Sequence, residues 1–207
     1  MGPTLRWRYG ATMRINEASG QGRDGVFIRL VAEASIRDVL GRYCRAIDRV
    51  DEALLRSCYH HDATDEHGSF RGTVDEYVVW VTRLVRKYDG TTHMLAQSVF
   101  DWPEADAFKP DVLMPDVPKP AVRGPDAVRV ETYGTAVHWH SSGEASLNLT
   151  TGFRFIDHFE YRQEAWRIGR RVAIAEWSRQ TERNMSWSIP PEQRRATRDR
   201  ADPAYGP

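Results

Sequence analysis

An α+β fold is predicted: a strongly curved, mostly antiparallel sheet closed by three N-terminal helices into a cone-shaped barrel. Two observations carry this expectation. Apolar residues recur at helical spacing up to Gly90, and beyond it the period changes to two, in segments rich in Val, Ile, Thr and aromatics. The length, 207 residues, favours a single domain with ample buried core.

Residues 1–29 mix Gly20, Gly22 and Gly25 with polar sequence and read as a mobile N-terminal extension to a domain spanning 30–180. Within 30–47, Ile36, Leu40, Tyr43, Cys44 and Ile47 mark one buried helical face. Asp51 opens a second, short helix with Leu54, Leu55 and Cys58 apolar. A short strand or loop occupies 63–70. Thr73 and Glu76 form a capping box for a third helix that turns Tyr77, Val78, Val81, Val85 and Tyr88 inward, with Gly90 as its stop signal. Strands are expected over 91–101, 127–140, 147–162 and 166–177. The proline-bearing segment 103–125 reads as a loop inserted across a hairpin. Ser141-Ser142-Gly143 and Gln163-Glu164 read as hairpin turns. The tail, 181–207, holds Pro190, Pro191, Pro203 and Pro207 and a basic run at Arg194, Arg195, Arg198 and Arg200, so it either frays or packs on a neighbour.

Composition narrows the function by exclusion. Lys and Arg number 29 against 29 Asp and Glu, so no excess charge draws the chain to nucleic acid or anionic membranes. No apolar run approaches the roughly 20 residues that span a bilayer. No secretory apolar core is visible near the start, which makes the cytoplasm the expected compartment. Cys44 and Cys58 fall on apolar helix faces and read as reduced core residues. A Gly-x-Ser-x-Gly elbow and glycine-rich phosphate loops are absent from the sequence. His138 and His140 share a strand face, yet no third ligand stands at a recognisable spacing, so no metal is expected. Acid–base chemistry without a bound cofactor remains, with Tyr43, Asp48, His67, His93 and Arg171 as candidates. From pattern alone, Asp48 is either a solvated helix-end carboxylate or a pocket acid. His93 is either a packing residue or a base.

Several runs carry a resemblance. Tyr43-Cys44-Arg45-Ala46-Ile47-Asp48-Arg49, Ser57-Cys58-Tyr59-His60-His61-Asp62-Ala63, Asp65-Glu66-His67-Gly68 and Thr92-His93 come first. Glu131-Thr132-Tyr133, Gly152-Phe153-Arg154-Phe155-Ile156-Asp157-His158-Phe159-Glu160, Trp166-Arg167-Ile168 and the tail from Arg198 to Tyr205 follow. Together they resemble the SnoaL-like group of the nuclear transport factor 2-like superfamily. The resemblance implies a cofactor-free lyase, dehydratase-like, that eliminates from a hydrophobic cyclic small molecule such as a steroid or polyketide. It implies an assembly of like subunits, a trimer or dimer. It matches Asp48 and His93 to the family's catalytic pair, Tyr43 and Arg171 to further catalytic positions, and His67 and Tyr59 to substrate contacts. Alternatives with the same fold are an isomerase or cyclase using the same pair, and a non-catalytic binding or accessory subunit. His158 and Arg154 are expected to be structural. The segment Met94-Leu95-Ala96-Gln97 after His93 and the long 103–125 insertion depart from the family pattern, which bears on the substrate.

Overall fold

A computed structural model describes residues 20–103, 126–140, 147–182 and 196–205. Three helices come first: α1 (Gly20–Arg49), α2 (Glu52–Ser57) and, after the β1–β2 hairpin, α3 (Val74–Val85). The strands are β1 (Tyr59–His67), β2 (Phe70–Thr73), β3 (Gly90–Asp101), β4 (Ala127–Trp139), β5 (Leu147–Arg162) and β6 (Ala165–Glu182). They form one six-stranded sheet in the order β2-β1-β6-β5-β4-β3. All neighbours are antiparallel except β1 and β6, which run parallel. The sheet has two free edges, β2 and β3, and is not closed by hydrogen bonds. Closure comes from the helices: α1 lies against β3 and β6, and α3 against β1 and β2.

The expected apolar faces form the core. Ile36, Leu40, Tyr43, Cys44 and Ile47 of α1 and Tyr77, Val78, Val81 and Val85 of α3 are buried with Val128, Val130, Phe155, Phe159 and Ile168 of the sheet. Burial pushes the Cys44 thiol up to about 12 and that of Cys58 up to about 11, as expected of small core residues. Asp51 accepts the Leu54 N–H as N-cap of α2, and the Thr73/Glu76 capping box starts α3. Gln163 and Glu164, with φ of 52° and 59°, make the β5–β6 turn. Two left-handed residues suit the right-handed twist of a hairpin.

Four features differ from expectation. First, α1 begins at Gly20, so the boundary drawn at 29/30 falls inside the helix rather than after an extension. Second, α3 ends at Val85 with Arg86 as C-cap, and Gly90 instead opens β3. A Cβ on Gly90 would overlap the indole of Trp139, its register partner on β4, so glycine is required there by packing. Third, α1 ends on Val50 at φ 55°, with Val50 N–H donating to Ile47 O and Asp51 N–H to Ala46 O. A β-branched residue holds the left-handed position usually given to glycine, and this abrupt stop leaves Asp48 in the last turn. Fourth, β6 runs to Glu182, past the boundary at 180. The 103–125 insertion and the 141–143 turn lie outside the described residues, apart from Pro103.

The described part of the tail, 196–205, packs on its own chain. Arg198 donates to the carbonyls of Tyr88 (2.5 Å) and Val85 (3.1 Å), the second of which also accepts the Tyr88 N–H. Asp202 accepts from the N–H groups of Thr197 and Ala204 and pairs with Arg49 at 3.1 Å, while Arg200 pairs with Asp51 at 3.1 Å. No helix among the described residues is long and apolar enough to cross a membrane. Replacing Gly90 by Ala, which forces the Trp139 ring aside, is expected to lower stability by about 1–3 kcal/mol, the usual range for overpacking. The urea midpoint of the variant measures it.

Candidate active site

Asp48 and His93 meet although 45 residues separate them. Asp48 Oδ1 lies 2.7 Å from His93 Nδ1, and Oδ2 accepts the His93 backbone N–H at 3.1 Å. Both side chains are nearly buried, at 12% and 11% exposure. A carboxylate only accepts, so Nδ1 carries the ring proton and Nε2 is left as the basic nitrogen. The α1 terminus supplies the carboxylate and the fourth residue of the edge strand β3 supplies the imidazole.

His138 of β4, whose partner Thr91 lies two residues before His93, sets its ring edge-on to His93 at 5.8 Å. The Tyr88 ring packs against both His138 and His140, at 4.8 and 5.1 Å. That contact accounts for two histidines on one strand face. Among the described residues, no group of three His, Cys, Asp or Glu side chains is placed to hold a metal ion. Burial, reinforced by the neighbouring His93, lowers the His138 pKa to about 4.

The remaining candidates form a second polar cluster under α1. Arg171 has no exposed surface and grips Asp157 with two bonds of 2.7 Å, from Nε and Nη2. Its guanidinium carbon lies 4.1 Å from the centroid of the Tyr43 ring and 3.8 Å from that of Phe155. Arg171 Nη1 is buried with no hydrogen-bond partner among the described residues. The Tyr43 hydroxyl is 2.5 Å from that of Tyr77, which in turn is 3.4 Å from His67 Nδ1. Tyr59 donates to Asp65 Oδ2 at 2.7 Å. Burial holds the Tyr43 phenol well above its ordinary pKa, while Arg171 opposes that rise. Arg171 is thus a bound, paired cation. His158 pairs with Glu160, and Arg154 bridges Glu131 at 2.8 Å and Glu176 at 2.5 Å. A cleft of about 610 Å³ lies elsewhere, where the tail meets the ends of α1 and α2, lined by Arg49, Asp51, Arg86, Arg198, Arg200 and Tyr205 among others.

Four residues in these clusters carried no functional expectation: Asp157, Asp65, Tyr77 and His138. For Asp157 a signal exists. It is an acid two residues after the buried Phe155, on the face that Arg171 shares in register. An acid on a core face demands a cation. Tyr77 was expected inward as apolar core, with nothing to show that its hydroxyl would find Tyr43.

Helices against one face of a curved sheet, with a hydrogen-bonded Asp–His pair at the helix end, define a cone-type α+β protein with a polar interior. The chain belongs to the SnoaL-like domain family, whose model matches residues 29–172. No curated protein matches it. Among solved structures, a scytalone dehydratase-like protein from Novosphingobium aromaticivorans is 14% identical with a TM-score of 0.59, covering 82% of this chain and 99% of its own. A type 2 hexachlorocyclohexane dehydrochlorinase, LinA, is 16% identical with a TM-score of 0.59, covering 81% and 99%. A protein from Nostoc punctiforme with a cystatin-like fold is 12% identical at 0.51, covering 70% and 90%. These likenesses establish the fold.

Asp157→Ala strands the Arg171 charge and is expected to lose about 3–5 kcal/mol of stability, whereas joint replacement as Asp157→Leu with Arg171→Met loses less, because no lone charge remains. Chemical denaturation of the two variants distinguishes them. Free imidazole titrates near 6.5 and folded His138 at about 4. The unfolded chain therefore binds a proton that the folded one refuses in that window. Its contribution is complete above pH 6.5 and drains away as pH falls toward 4. His60, whose pKa burial also lowers, adds to the same slope. Unfolding free energies across this range are expected to be flatter for His138→Gln than for the wild type.

Proposed function

We propose that this chain is a cofactor-independent, dehydratase-like lyase acting on a hydrophobic cyclic small molecule such as a steroid or polyketide. The observation that carries the proposal is the two-point grip of Asp48 on His93. A carboxylate that holds both the ring and the backbone of a histidine fixes the tautomer and the ring plane, leaving Nε2 as an oriented base. In this reading His93 removes a proton from carbon, and Asp48 stabilises the imidazolium that results. Tyr43 donates its hydroxyl proton to the departing oxygen. Arg171 lies against the Tyr43 ring and stabilises negative charge as it develops there. His67 and Tyr59 contact the substrate.

The dehydratase-like and dehydrochlorinase names among the structural neighbours support elimination as the reaction class. The same geometry serves enolisation, so an isomerase or cyclase differs only in whether an oxygen leaves. An assembly of like subunits belongs to the same proposal. Exposed Val99 and Tyr133 alternate with the core-facing side of β3 and β4 and lie on the sheet's outer face, where another copy would cover them.

Incubation with a panel of hydroxylated steroids and polyketides, followed by mass spectrometry, is expected to show loss of water. His93→Ala and Asp48→Asn are expected to lower kcat by about 10²–10⁴ while circular dichroism and the urea midpoint show a folded chain. Full activity in both variants would remove the pair from the mechanism, and a product of unchanged mass would assign isomerisation or cyclisation.

A further inference from the structure

The buried hydroxyl of Tyr43 does not end in the core. It is 1% exposed, as a whole residue, and Tyr77 beside it is 0% exposed. From Tyr43 Oη to Tyr77 Oη is 2.5 Å, and from there to His67 Nδ1 is 3.4 Å. The His67 side chain keeps 30% of its surface in solvent. Its ring stacks on that of Tyr77, centroids 5.6 Å apart and planes 26° from parallel, which fixes Nδ1 against the hydroxyl. Three proton-carrying groups thus form a line from water to the ring that Arg171 covers. Resting on the lyase reading above, we propose that His67 feeds protons from solvent through Tyr77 to Tyr43, making His67 and Tyr77 a relay that reloads the acid.

A relay is needed because of burial. Once Tyr43 has given its proton away, burial shuts the phenolate off from bulk solvent. Arg171, whose guanidinium carbon sits 4.1 Å from the ring centroid, makes that charge tolerable but holds no proton it can release. Histidine is the side chain that exchanges protons with water near neutral pH. The groups that face it set its bias. Asp65 Oδ1 of β1, buried with no hydrogen-bond partner among the described residues, lies 3.6 Å from Nδ1. Tyr77 and Trp80 of α3 and Phe155 of β5 supply ring contacts, and Asp157 of β5 adds a more distant negative charge.

The steps balance. In each turnover one substrate C–H bond breaks and its proton goes to His93. The C–O bond breaks with its electron pair on oxygen, which takes the Tyr43 proton and leaves as water. Tyr77 then passes its proton to the Tyr43 phenolate, and His67 Nδ1–H passes its own to Tyr77. His67 is reprotonated from solvent, to which His93 returns the proton taken from carbon. Protons therefore enter by one histidine and leave by the other.

The test needs no substrate. In the full chain labelled with [ζ-13C]tyrosine and held in mixed H2O and D2O, hydroxyl hydrogen exchange is read from the isotope splitting of each ring Cζ resonance. The Tyr43 exchange rate is expected to be set by His67, the end of the line that reaches water. Tyr77→Phe is expected to slow it about tenfold or more, and His67→Gln to slow it as well. An unchanged Tyr43 rate in either folded variant overturns the relay. Should Tyr77→Phe fail to fold, His67→Gln, altered at the partly exposed end of the line, decides alone. Loss of the lyase reading would show in the His93 and Asp48 variants while these exchange rates stayed as expected, so the two failures are separable.

Discussion

A guanidinium with no exposed surface is retained inside a protein only when its charge is matched, and Asp157 matches Arg171 through two bonds of 2.7 Å. Much of the interior is arranged around this pair. The faces of Tyr43 and Phe155 close over the cation, so α1 is held to β5 and β6 by a charge as well as by apolar contact. Tyr43, once placed, brings Tyr77 of α3 to its hydroxyl. The cone is therefore not an oily shell with a few polar atoms at its mouth. It has an ionic centre, and the aromatic residues around it are oriented by that centre.

Asp48 and His93 are built on a different principle. They sit where α1 stops and β3 starts, nearly but not wholly shielded from solvent, and each depends on a backbone irregularity. The left-handed Val50 ends the helix directly after the acid, and Gly90 lets β3 begin against Trp139. Arg198 from the tail holds the Val85 and Tyr88 carbonyls just before that strand. Rigidity here comes from chain geometry, in the interior from charge. Asp48 is thereby tied to His93 at both the ring and the backbone N–H.

The parts of this architecture legible in sequence are those governed by local rules. Period and capping show α3 through Thr73 and Glu76, the strand pattern finds β4 and β5, and the apolar stripe of α1 gives the core face. Asp48 and His93 are candidates by pattern, but only the resemblance favours their catalytic reading, since a helix-end acid and a strand histidine are ordinary by pattern. Gly90 misled because a glycine near a helix end commonly stops it, and the true demand came from Trp139, 49 positions later. Start of α1 was missed because its first turns carry glycine and charge. Tyr77 stayed silent for a deeper reason: its hydroxyl partner comes from α1, and no local spacing encodes a contact between α3 and α1, whereas for Asp157 the core-face pattern signals the need for a cation without naming which one.

The parallel pairing of β1 with β6 has a consequence for how the chain assembles. Thr64 meets Arg170, and Asp65 meets Arg171, across more than a hundred residues, so the strand near the start waits for the strand near the end. Until β6 docks, Asp65 has no neighbour on that side and Asp157 has no cation, and both remain hydrated. Long-range pairing of this kind is slow to form. Desolvation of the ionic centre is then tied to the last strand's arrival, and the chain acquires its charged interior in one late, cooperative event rather than piece by piece.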